Sequence, residues 1–246
     1  MQIFGFHAVL SRLRRQPSSI LELYLDEARQ DPRARDLLKL IKELNIRPML
    51  VSNERLDKIC PGRKHQGVVA KVELLSNSLS LPDLLDSVKD KPSLLLILDG
   101  VTDPRNLGAC MRVADGAGAQ AVIAPKDNAC ALTEIAVHTS SGASETLPYI
   151  MVTNLSRALD EIQEAGIWCY GAADEAQQSL YDVSLPKSVA WVLGAEGTGL
   201  RRLTRDRCDE LIKIPMLGSV SSLNVSVASG VVLYETVRQR SLKPAI

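Results

Sequence analysis

Five short segments between residues 94 and 214 are almost wholly apolar, Lys213 being their one charged position, and this constrains the fold more than any other feature. Leu94 to Leu98, Ala121 to Ala124, Trp168 to Gly171, Val189 to Leu193 and Leu211 to Ile214 show no alternation of polar and apolar positions. A strand without alternation has no face to offer water, so it must be covered on both sides. Helical patterns lie between these segments at Leu107 to Ala117, Leu132 to His138 and Leu155 to Ala165, with a last one from about Leu223 to Arg240. The pattern predicts an α/β domain built on a parallel sheet with helices on both faces.

A smaller alternation precedes it. Helical spacing at Gly5 to Arg15 and Pro32 to Leu44 is interleaved with strands at Ile20 to Leu25 and Pro48 to Val51; a short helix and a strand at Val68 to Val72 follow. From Leu74 to Pro82 the chain is serine-rich and nearly uncharged, reading as a linker that runs into a short helix before Lys91-Pro92. The expected organisation is therefore a small α/β unit over residues 1–73, a linker over 74–91 and a larger α/β domain over 92–246.

Composition excludes several classes. Lys plus Arg and Asp plus Glu both number 29, so the chain lacks the strongly basic footprint of an avid nucleic-acid binder. Its local clusters (Arg12, Arg14, Arg15; Arg63, Lys64; Arg201, Arg202, Arg205, Arg207; Arg238, Arg240, Lys243) read singly as solvated faces. Five dispersed cysteines and three dispersed histidines give neither a disulfide framework nor metal-ligand spacing, so no metal is expected. No apolar run approaches the roughly 20 residues of a membrane span, and no signal-peptide pattern opens the chain, so no membrane association and a cytoplasmic location are expected.

In parallel sheets ligands bind beyond the carboxyl ends of the strands. The loop after Leu98 runs from Asp99 through Asp103-Pro104 to Asn106 and Arg112; Asn106 sits where a helix N-cap is expected, and Arg112 reads from spacing alone as a helix-surface arginine. After Leu193 comes Gly194-Ala195-Glu196-Gly197-Thr198-Gly199, whose glycines admit close approach of a ligand to the backbone around one carboxylate. After Ile214 comes Pro215-Met216 and then Ser222-Leu223-Asn224-Val225-Ser226; Leu223, Val227, Val231 and Tyr234 are expected to form the core stripe of the last helix, with its serines on another face. Gly116-Ala117-Gly118-Ala119-Gln120-Ala121 has the spacing of a dinucleotide fingerprint, but between a helix and a strand it reads as a helix C-cap. The loops hold no nucleophile elbow, histidine base or cysteine, so a triad mechanism is disfavoured and direct transfer between two oriented substrates is favoured.

Asn106 to Arg112, Leu193 to Leu200 and Ile214 to Ser226 resemble, in order, the three motifs of the SpoU/TrmH branch of the SPOUT methyltransferases. Phe4-Gly5-Phe6-His7-Ala8-Val9 and His65-Gln66-Gly67-Val68 resemble the substrate-domain signatures of members that methylate a guanosine ribose in 23S rRNA. The resemblance implies an N-terminal RNA substrate-binding domain and a C-terminal α/β domain tied in a trefoil knot, acting as a homodimer. It further implies an enzyme that passes a methyl group from S-adenosylmethionine to a ribose 2′-hydroxyl of 23S rRNA or of an assembling large ribosomal subunit. By the same resemblance Gly194, Ile214, Met216 and Leu223 hold the cofactor, while Arg112, Asn106, Glu196, Ser222 and Asn224 occupy active-site positions, with Glu196 positioning Arg112 or another donor. Methylation of tRNA, or an RNA-binding role in ribosome assembly without catalysis, are the alternative readings.

Overall fold

The computed structural model describes residues 1–73 and 79–242. The first unit comprises β1 (Gln2–Phe4), α1 (Phe6–Arg15), β2 (Ile20–Asp26), α2 (Pro32–Glu43), β3 (Met49–Val51), α3 (Asn53–Ile59) and β4 (Val68–Val72). Its sheet runs β1-β4-β2-β3, with β4 antiparallel to both neighbours and β2 parallel to β3. β1 was not anticipated, because three residues are too few to display a period. α2 starts where its sequence dictates: the Asp31 carboxylate accepts from the Arg33 and Ala34 amides, and Pro32 takes the first helical position. Leu13, Leu37 and Ile41 bury against Leu23, Leu25 and Val72.

The second unit comprises α4 (Leu81–Val88), β5 (Leu94–Asp99), α5 (Pro104–Gly116), β6 (Ala121–Pro125), α6 (Glu134–Thr139), α7 (Ala143–Thr146), β7 (Tyr149–Val152), α8 (Leu155–Glu164), β8 (Trp168–Ala172), β9 (Gln178–Ser179), β10 (Val189–Gly194), α9 (Arg202–Arg205), β11 (Glu210–Lys213) and α10 (Val225–Leu242). Its sheet is parallel throughout, in the order β7-β6-β5-β10-β8-β11-β9. Both faces of β5 are covered: Leu94, Leu96 and Leu98 pack with α5 and α10, Leu95 and Ile97 with α4 and α8. That is why the strand carries no polar position before its last residue, Asp99. Of the expected linker, residues 74–78 lie outside the described residues; further on, Leu81, Leu84 and Val88 of α4 bury against the same sheet.

Two expectations about packing are corrected. The buried face of α10 is Val225, Ser229, Val232, Leu233, Glu235 and Thr236, whereas Val227 and Tyr234 of the expected core stripe are about half exposed, at 52% and 51%. Hydroxyls make the difference. Ser229 donates to the Val225 carbonyl (2.7 Å) and Thr236 to the Val232 carbonyl (3.0 Å) while accepting from the Trp191 indole (2.9 Å), so a face that looks polar is satisfied internally and packs closely.

Arg12 is not part of a solvated face either. Its guanidinium is 1% exposed and forms an ion pair with Glu145 of α7, itself 2% exposed. Further bonds reach Ser19 Oγ (3.2 Å) and the Glu73 carbonyl (2.9 Å), and Arg15 donates to the Glu145 carbonyl. Together with Val137 of α6, which joins the core of the first unit, this pair fastens the two units to each other. Removing one member of such a pair strands the other charge. Arg12→Ala or Glu145→Ala should therefore cost about 3–5 kcal/mol, against less than about 0.5 kcal/mol for the exposed neighbour Arg14→Ala. Urea unfolding followed by circular dichroism measures this, and a wild-type midpoint for both buried variants would dismiss the pair as the fastening.

Candidate active site

The loops after β5, β10 and β11 leave one edge of the sheet and meet there through side chains. α5 is capped by Asp103, whose carboxylate accepts from the Arg105 amide (2.8 Å), rather than by Asn106, which lies three residues later in the first turn. Relieved of capping, Asn106 donates from Nδ2 to Glu196 Oε1 (3.3 Å). Asn224 donates from Nδ2 to Asn106 Oδ1 (3.0 Å) and to the same Glu196 oxygen, and its Oδ1 accepts from the Ser226 amide (2.9 Å) and hydroxyl (2.5 Å) at the start of α10. One residue from each loop thus enters a single network around one carboxylate.

The glycine-rich turn is held rigidly. Gly199 N–H donates to the Ala195 carbonyl (2.9 Å), and Gly197 and Gly199 have φ of +79° and +64°. Gly194 lies so close to the returning chain that a Cβ there would sit 2.1 Å from the Gly199 carbonyl carbon, so a larger residue would collide with the protein's own backbone. The turn is anchored at its far end by Asp99, whose buried carboxylate accepts from the Arg201 amide (3.0 Å) and Nε (2.6 Å).

Gly194, Ile214, Met216 and Leu223 all line one cleft at this edge, which Glu196 and Ser222 share. Ser222 is exposed and ties no loop, leaving that task to Asn224. Asp174, just past β8, also lines the cleft; the sequence reading missed it, although its position after a parallel strand was the available signal. From 215 to 222 the chain makes no main-chain hydrogen bond to the rest of the protein among the described residues, leaving those groups open to a ligand. Free peptide groups beside two carboxylates fit a ligand that combines a heterocycle with positive charge.

Arg112 is elsewhere. It is exposed about one and two-thirds turns beyond Asn106 and lines a separate groove with His7, Arg14 and Arg15. Within one chain Glu196 accepts from Asn106 and Asn224, and it has no hydrogen bond or ion pair with Arg112 among the described residues. Cys110, on the same helix, is buried; desolvation pushes its thiol up to about 11, so it is an inert packing residue. Gly118, at φ +75°, ends α5 as the C-cap reading expected. Among the described residues no cluster of His, Cys, Asp or Glu could hold a metal ion, and no helix is long and apolar enough to cross a membrane.

A parallel α/β domain whose ligand cleft and amide–carboxylate network share one sheet edge, preceded by a small α/β unit, defines a two-part ligand-binding protein of the kind found among RNA methyltransferases. The model of the SpoU rRNA methylase family matches residues 93–234, and that of the RNA 2′-O ribose methyltransferase substrate-binding domain matches residues 2–78. A Ralstonia nicotianae protein named 23S rRNA (guanosine-2′-O-)-methyltransferase RlmB is 56% identical, with 99% of this chain and 97% of the relative covered. The Bordetella pertussis protein of the same name is 52% identical, with 96% of each covered. Among solved structures, the SpoU methyltransferase AviRb from Streptomyces viridochromogenes in complex with AdoMet superposes with a TM-score of 0.78 at 26% identity, covering 98% of this chain and 91% of that one. The chain belongs to the SpoU rRNA methylase family. Its fold is the expected one, an N-terminal α/β substrate-binding unit followed by an α/β-knot methyltransferase domain.

The network makes a measurable claim about which residues act together. In a double-mutant cycle on unfolding free energy, Glu196→Ala with Asn224→Ala should couple by about 0.5 kcal/mol or more, whereas Glu196→Ala with Arg112→Ala should be additive. The reverse pattern would return Glu196 to Arg112.

Proposed function

We propose that this chain transfers the methyl group of S-adenosylmethionine to the ribose 2′-hydroxyl of a guanosine in 23S rRNA, free or in an assembling large subunit. The carrying observation is the identity of 56% to an RlmB protein across both units, substrate-binding and catalytic together. The tRNA alternative is weaker: the structure titled for 2-OH methylation of C/U34 on tRNA matches 62% of this chain although 99% of it is covered, so it has no counterpart to the remainder. Mapping ribose methylation on rRNA from cells lacking the protein, with and without complementation, tests the assignment; unchanged 23S rRNA would end it.

In this reading Gly194, Ile214, Met216 and Leu223 would hold the cofactor, with backbone groups around them receiving its adenosine. When bound, S-adenosylmethionine supplies an electrophilic methyl carbon. Asn106 and Asn224, fixed by Glu196, present amide groups at the edge of that cleft and, with Ser222, orient the ribose. Holding oxygen and carbon about 3–3.5 Å apart in line supplies most of the gain. Arg112 would stabilise charge, on the developing 2′-alkoxide or the adjacent phosphate, because a guanidinium stays protonated in proteins; the hydroxyl proton would then pass to water, and the sulfur would keep the electron pair of the broken S–C bond and leave as a neutral thioether.

Arg112 lies outside its own chain's cofactor cleft, and α10 leaves Val227 and Tyr234 exposed beside α5. Both facts support a homodimer in which that apolar face is covered. The four cysteines that are buried and unpaired suit the reducing cytoplasm.

Arg112→Ala should lower turnover by about 10² to 10³, with Arg112→Lys falling less and cofactor affinity unchanged in both. The pH profile of single-turnover transfer by Arg112→Lys separates charge from base: a rise with lysine deprotonation towards pH ~10 would favour proton abstraction. Tyr234→Arg should convert the dimer to a monomer in sedimentation and abolish methylation; a fully active monomer would remove the dimer from the mechanism.

A further inference from the structure

The seam between the two units holds two adjoining depressions. One part is lined by Phe4, His7, Lys64, Gln66, His138 and Ser141. The other is lined by Arg14, Arg15, Arg112 and Asp115, and His7 and Ser141 belong to both. The parts differ in character. The first sets Lys64 against Glu134, with the Phe4 and His138 rings 4.4 Å apart and the Arg63 guanidinium 5.8 Å from the centre of the Phe4 ring. The second carries three arginines against one aspartate, and that Asp115 carboxylate already accepts from Thr146 (2.6 Å).

Backbone strain marks the same place. Five non-glycine residues among those described have positive φ, and Asn45, Asp90 and Asn128 are of types that tolerate it. The other two, Gln66 (φ +54°) and Ser141 (φ +53°), both line the seam. The turn holding Gln66 is over-determined: the Gly67 amide donates to His65 Nδ1 (3.1 Å), Asp26 N–H to the Gly67 carbonyl (2.9 Å), and Arg29 to the Gln66 carbonyl itself. Yet the exposed Gln66 amide group, with Oε1 lying over Gly5, has no hydrogen-bond partner among the described residues. A glycine would satisfy the backbone without strain; a side chain with one donor group and one acceptor is kept there instead.

We infer that the seam is the track of a single RNA strand, in which Gln66 and His7 read one unpaired base while Arg14 and Arg15 hold the phosphates leading to Arg112. The inference rests on the RNA methyltransferase reading above and adds to it where the substrate lies and which residues choose it. Unstacked bases are read by amides and rings on their edges and faces, and phosphates by exposed cations, which is the division the seam makes. The buried Arg12–Glu145 pair keeps the base-reading part at a fixed distance from Arg112.

Two variants test this on full-length protein and unmodified 23S rRNA. Gln66→Gly removes the amide while relieving the backbone, so its unfolding midpoint should equal or exceed the wild type, its affinity for S-adenosylmethionine should be unchanged, and its KM for rRNA should rise about tenfold or more. Arg14→Ala should weaken rRNA binding and flatten the slope of log affinity against log salt by about 0.7 to 0.9, the share of one phosphate contact. Wild-type KM in Gln66→Gly together with a wild-type salt slope in Arg14→Ala would overturn the inference, leaving the seam to some other partner. Failure of the wild-type protein to methylate rRNA would instead strike the parent reading, so the two failures are distinguishable.

Discussion

The placement of β10 between β5 and β8 is the constraint on which the site depends. In register, Gly194 stands opposite Asp99 and Val192 opposite Gly171, so three strands from distant parts of the chain end at one level. A parallel sheet sends all its following loops off the same edge. That geometry gives Glu196 its reach to Asn106 and Asn224, residues 90 and 28 positions away. Asp99 then serves twice, as the end of β5 and as the buried anchor of the glycine turn through Arg201.

Much of this was legible before any coordinates. Strands buried on both faces announce themselves because they can afford no polar position, and β5, β6, β8 and β10 began where the run of apolar residues began. Three glycines around a carboxylate likewise advertised a close approach. What escaped was whatever depends on a partner far off in sequence. Arg12 reads as a surface charge until Glu145 is placed beside it, and Ser229 and Thr236 read as a polar face until their hydroxyls are seen turned onto their own helix. Asn106 and Asp103 are both good N-caps, and local pattern cannot choose between them. β1, β7 and β9, two to four residues long, are missed, although β3 and β11, equally short, are found; at this length no period decides.

The balanced charge of the chain is explained by the same partnerships. Arg201 is taken by Asp99, Arg205 by Glu175, Arg207 by Asp160 and Arg238 by Glu235, so three of the four arginines between 201 and 207 are neutralised in space. Arg14 and Arg112 are not, and both face the seam between the units. Composition reports the sum of charges, whereas a polyanion responds to those left unpaired on one surface.

The order β7-β6-β5-β10 also carries a consequence for the nascent chain. β5, β6 and β7 are neighbours in sequence and can pair once residue 152 has been synthesised, but Val189, the register partner of Leu94, comes much later. Until then one edge of a strand that is apolar from Leu94 to Leu98 stands open, with its hydrogen-bonding groups unmatched. Such an edge is a template for pairing with other chains. The strand that completes the catalytic edge is therefore also the one that ends the chain's exposure to aggregation, and folding of the sheet must wait for it.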